Sequence, residues 1–92
     1  MHETGIVRDL VRRLEQAAQE AGAEHVSGVV VWLGALSQFS PAHFREHFDD
    51  EALGTLAERA ELRIVASEDP LDPQAQYVVL QSADFAVPDE DG

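Results

Sequence analysis

The residues best equipped for chemistry stand at the start of the chain, where Met1-His2-Glu3 brings an α-amine, an imidazole and a carboxylate within three positions. A free amine and the His2 imidazole, joined by the deprotonated backbone amides of His2 and Glu3, form a square-planar nitrogen set that suits nickel(II) or copper(II). The geometry needs a true N-terminus, and the bulk of His2 is expected to keep the initiator methionine in place. Without further support, a histidine at position 2 is ordinarily a solvated feature of a frayed end. A second pair, His43 and His47, lies four residues apart, so both imidazoles share a helix face and can in principle chelate. Glu46, Asp50 and Glu51 give that face a mixed polar character, and two histidines lacking a third defined ligand are more often solvated than metal-bound. His25, beside Glu24, reads as a surface residue.

Other chemistries are poorly supplied. The chain has no cysteine, which removes thiolate zinc sites, iron–sulfur clusters, disulfides and a cysteine nucleophile. No serine sits in a nucleophile motif, and no glycine-rich phosphate loop is present. None of the carboxylates is marked out as a catalytic pair, so no enzyme activity is expected. With 18 acidic against 6 basic residues, the net charge of -12 repels nucleic acid and anionic membrane surfaces alike. The longest apolar run, residues 29–33, is too short to span a bilayer, and no leader-like segment opens the chain, so a cytoplasmic location is expected.

The elements that must position these residues follow from periodicity. Residues 6–21 repeat apolar side chains every three or four positions, from Ile6 and Val7 through Leu10, Val11 and Leu14 to Ala18, and predict a helix closed by Gly22. Residues 26–36 are β-branched, with Val29, Val31 and Leu33 on one side and Gly28, Val30 and Trp32 on the other. Either both faces of this strand are covered, or Val30 and Trp32 lie on an outer face that another chain can cover. Phe39-Ser40-Pro41 reads as a helix start: Ser40 caps, Pro41 takes the first position and Phe39 staples onto Phe44. Gly54 is the expected stop, with a further helical turn through Ala60 as the alternative. Residues 61–67 and 77–87 predict two more strands, and the acidic, twice-proline stretch between them predicts a hairpin connection. The expected whole is one α+β domain over residues 1–87, helix-strand-helix-strand-strand. Two amphipathic helices cover one face of a three-stranded sheet, and residues 88–92 form a disordered acidic tail.

Several of these segments together resemble the HypA-like nickel metallochaperones of hydrogenase and urease maturation. Met1-His2-Glu3 running directly into an amphipathic helix is similar to the family's opening. Val26-x-x-Val29-x-Val31-x-Leu33-Gly34-x-Leu36-Ser37 resembles its first strand and following turn. Gly54-Thr55-x-Ala57-Glu58-x-Ala60-Glu61-Leu62 resembles the segment before its second strand. The resemblance implies a carrier without a reaction of its own, holding nickel(II) transiently through Met1 and His2. Glu3 is a neighbouring family position that orients the site or meets a partner. The implied partners are a maturation GTPase and the hydrogenase large-subunit precursor, or the urease counterpart. The family's zinc domain of paired Cys-x-x-Cys motifs lies between the last two strands. Here only residues 69–74 occupy that place, so no zinc is expected. Ala35 stands in place of a common acidic residue, and Gln38 and Arg59 in place of usual glycines, departures that bear on partner choice.

A rival expectation is an interaction module that kept this fold and works without metal as an adaptor or regulator. Val30 and Trp32 would then form its surface toward a partner or a second copy in a homodimer.

Overall fold

The computed structural model describes residues 3–88, and the expected metal set Met1 and His2 and most of the expected tail lie outside them. The elements run α1 (Glu3–Glu20), β1 (His25–Leu33), α2 (Pro41–Ala52), β2 (Glu61–Ala66) and β3 (Val78–Ala86), the α+β order read from the sequence.

Helix α1 buries Val7, Leu10, Val11, Leu14 and Ala18, the stripe that its apolar spacing predicts. It ends at Gly22, which takes a φ of 70°. There the Ala23 N–H donates to the Ala18 carbonyl and the Gly22 N–H to the Gln19 carbonyl, so two carbonyls at the helix end are satisfied by the chain turning away. Helix α2 starts as its sequence dictates. The Ser40 side chain accepts from the His43 N–H at 3.1 Å, Pro41 opens the helix, and the Phe39 ring meets Phe44 edge-on at 5.3 Å between centroids. After Ala52 the chain makes turns rather than a further helical segment. Gly54 has a φ of 78°, its N–H donates to Glu58, and the Thr55 hydroxyl donates to the Ala52 carbonyl.

The sheet order is β2-β1-β3. Strand β1 pairs in parallel with β2, Val29 opposite Leu62 and Leu33 opposite Ala66, and antiparallel with β3, Val29 opposite Ala83 and Leu33 opposite Val78. The hairpin expected between the last two strands therefore does not form. Strand, helix and strand in succession, β1-α2-β2, make a crossover unit whose strands run parallel, and β3 takes the free edge of β1 rather than that of β2. Residues 67–77 instead carry the chain across the end of β1. They are pinned by N–H donation from Ser67 to Leu33, from Gly34 to Tyr77 and from Leu36 to Ala75.

A register shift between Val26 and Gly28 turns both Val26 and Val29 inward. With Val31 and Leu33 they meet α1, Phe44 and Phe48 in one core. No buried polar or charged residue occurs among the described residues. Arg8 bonds Glu51 at 3.1 Å, and Glu15 accepts the Leu56 N–H at 3.1 Å. Contacts that advance together along both segments mean that the helices run in the same sense. The first half of α1 and the first turns of α2 thus share the end of the sheet marked by Leu33.

Candidate functional site

Helix α1 begins at Glu3, directly behind the expected metal set. The N–H groups in the first turn of a helix have no carbonyl partner within it, so helix formation does not consume the amides this donor set would use. Helix geometry and donor chemistry are therefore compatible at this end of the chain.

The other histidine pair is brought together. His43 and His47 sit on successive turns of α2 with their Nε2 atoms 2.9 Å apart and ring centroids 4.5 Å apart. Phe39, buried beneath them, lies 6.0 Å from the His43 ring and 6.4 Å from the His47 ring. The two imidazoles are half-buried, while Glu46 and Asp50 beside them are exposed. The i,i+4 spacing announced a shared face, but the apolar wall supplied by Phe39 was not anticipated. The signal for it was present in the hydrophobic staple itself, since a residue that packs onto Phe44 also passes under the first turn. His25 stands at the first position of β1 opposite Ala86, half-buried, and belongs to no group of three or more metal-type side chains among the described residues.

Val30 and Trp32 lie on the sheet face away from the helices, both half-buried. Val30 stands between Arg63 of β2 and Ser82 of β3, and Trp32 between Val65 and Val79. Val65 is 46% exposed, so an apolar row crosses all three strands on that face. Of the two sequence readings of β1, the described residues fit the open outer face.

Gly34, part of the Leu33-Gly34-x-Leu36 segment, has a structural reason to be glycine. A Cβ there would collide with the Ala75 carbonyl oxygen and lie 2.5 Å from its carbon, because residues 67–77 pass directly over it. Gln38 takes a φ of 72°, the left-handed conformation that glycine adopts without strain.

Residues 1–71 match the family described as hydrogenase/urease nickel incorporation, metallochaperone, hypA. The hydrogenase maturation factor HypA of Aquifex aeolicus is 42% identical over 62 residues, which span 67% of this chain and 54% of that protein. HybF of Salmonella typhimurium is 38% identical over 64 residues, 70% of this chain and 57% of its own length. The matched segment thus spans little more than half of these relatives. The solution structure of the Helicobacter pylori Ni metallochaperone HypA superposes with a TM-score of 0.78 at 21% identity, covering 96% of this chain and 100% of that one, which establishes the common fold. By its matched residues and its fold together, the chain belongs to the HypA family of hydrogenase/urease nickel-incorporation metallochaperones.

Proposed function

We propose that this chain carries nickel(II) through the Met1 amine, the His2 imidazole and the adjoining amides, and passes it to a maturation GTPase and on to a hydrogenase large-subunit precursor in the cytoplasm. The observation that carries the reading is the family match across residues 1–71, which includes the donor set and the helix behind it. The chemistry of the set is consistent with cargo handling. Two amide anions and two neutral nitrogens cancel the charge of the dication, so the positive end of the α1 dipole does not oppose its binding. Every donor must shed or lack a proton before it can bind, so acid releases the ion. Glu3, next in sequence, orients the set or contacts the partner. These 92 residues hold no thiolate ligand, so the reading assigns no role to a thiolate zinc site.

The test is a nickel titration of untagged protein by calorimetry and visible absorption, with His2→Ala and an N-terminally extended variant beside it. The native chain is expected to take up one nickel with square-planar absorption that both alterations abolish and that fades as pH falls. Square-planar absorption that survives either alteration would remove the terminal site.

A second reading, the metal-independent adaptor, draws on the apolar row Val65–Trp32–Val79. It makes Val30 and Trp32 the contact surface for a partner or for a second copy in a homodimer. Under it, His2→Ala leaves function intact.

A further inference from the structure

We infer that His43 and His47 form a second metal site, a bidentate clamp on the surface of α2 that takes a divalent cation of the nickel(II) or copper(II) class through both Nε2 atoms. Three observations on independent features lead there. First, the Nε2 atoms are 2.9 Å apart. Two imidazole nitrogens held at 90° around a metal at about 2.0–2.1 Å stand about 2.9 Å from each other, whereas tetrahedral ligation spreads them to about 3.4 Å. The observed spacing is within a small ring rotation of either bite, so the pair can close on a single ion, and imidazole nitrogen suits nickel(II) and copper(II). Second, the backbone holds the pair in register. Both residues lie inside α2, whose start is fixed by the Ser40 cap and by Pro41, so the two Cβ atoms cannot drift apart without unwinding the helix. Third, the Phe39 ring packs within 6.4 Å of both imidazole rings and limits how each can turn. Rings already confined in this way lose less freedom when a metal fixes them.

Without metal, one Nε2–H donates to the other Nε2 lone pair, so a cation replaces the shared proton and a small rotation of each ring aims both lone pairs at one point. Among the described residues no third histidine, aspartate or glutamate completes a cluster. The remaining positions are therefore open to water or to a donor from elsewhere, as befits a site that exchanges its ion rather than storing it. The clamp stands apart from the terminal donor set in sequence and in donor chemistry. It contributes two imidazoles and no deprotonated amide, so nickel bound there with water is expected to be octahedral and only weakly coloured.

The test removes the terminal site first. Untagged His2→Ala protein is titrated with nickel chloride by calorimetry, and the His2→Ala/His47→Gln protein is titrated beside it. One equivalent in the former that disappears in the latter is the expected result. No equivalent in the former, or the same equivalent in both, overturns the clamp. If the double variant does not fold by circular dichroism, zinc chloride, used as a diamagnetic probe, is added to 15N-labelled His2→Ala protein. Movement of the Nε2 resonances of both His43 and His47 supports the site, and movement of neither or of one alone overturns it. Failure of the terminal reading appears separately, as native protein without square-planar absorption.

Discussion

A methyl group at position 34 has nowhere to go. The backbone of Ala75 occupies the space a Cβ would need, and that backbone is held by the Leu36 N–H bond to Ala75 and the Gly34 N–H bond to Tyr77. Gly34→Ala is therefore expected to cost about 1–3 kcal/mol, the usual range for forcing extra atoms into a packed site. Chemical denaturation would read this as a lowered midpoint with an unchanged slope, and a midpoint equal to that of the parent would show that residues 67–77 yield freely. Gln38 presents the converse case. It is the one non-glycine residue with positive φ among the described residues, at a position where the resemblance implies glycine, and a side chain in that conformation costs about 1–2 kcal/mol. Arg59, the other replaced glycine, shows no such conformation, and nothing in the structure explains it. Residue identity thus foretold Gln38 as a departure, but only the backbone tells which departure is strained.

At the scale of elements, local chemistry was the most legible part of the sequence. The Phe39-Ser40-Pro41 start of α2 and the Gly22 stop of α1 depend on neighbours within a few residues, and both occur as read. Ser40→Ala is expected to lose about 1 kcal/mol through the unsatisfied His43 N–H and to loosen the first turn of α2. Thermal unfolding measures the loss, and an unchanged midpoint would mean that Pro41 and the staple suffice to hold the turn. Strand pairing was less legible because it depends on distant partners. An acidic proline-bearing stretch between two strands looks the same in sequence whether it closes a hairpin or crosses a sheet end. The helix between β1 and β2 accounts for their parallel pairing, but it leaves open which of the two takes β3, and that choice rests on the tertiary fold, where β3 pairs with β1. For the candidate sites, the four-residue spacing of His43 and His47 was visible in the sequence. Their approach to 2.9 Å, and the Phe39 wall beside them, required the rotamers.

The molecule as a whole presents two unlike faces. The helices cover one side of the sheet, while the other exposes an apolar row through Trp32 in a chain of net charge -12. The general acidity makes attraction to nucleic acid or anionic lipid unfavourable, so an apolar patch of this kind fits a protein partner better. Trp32→Ser is expected to leave the proposed nickel binding unchanged and to weaken self-association or binding to the proposed protein partner, as judged by sedimentation. Unaltered association would take this face out of the interaction. Neither described helix is long and apolar enough to cross a membrane.

The passage of residues 67–77 over the end of β1 also makes the domain a tolerant host. Both ends of that connection are fixed by strands that flank β1 on opposite sides, two strand spacings apart, and its last residues bond Gly34 and Leu36, while most of residues 68–74 between are exposed. The entropy of closing a flexible loop rises by only about 0.6 kcal/mol for each doubling of its length. A guest four times longer would thus burden the host by roughly 1.2 kcal/mol, less than the Gly34 contact alone can govern. Whole modules can accordingly be gained or shed at this seam while the register of all three strands stays as it is.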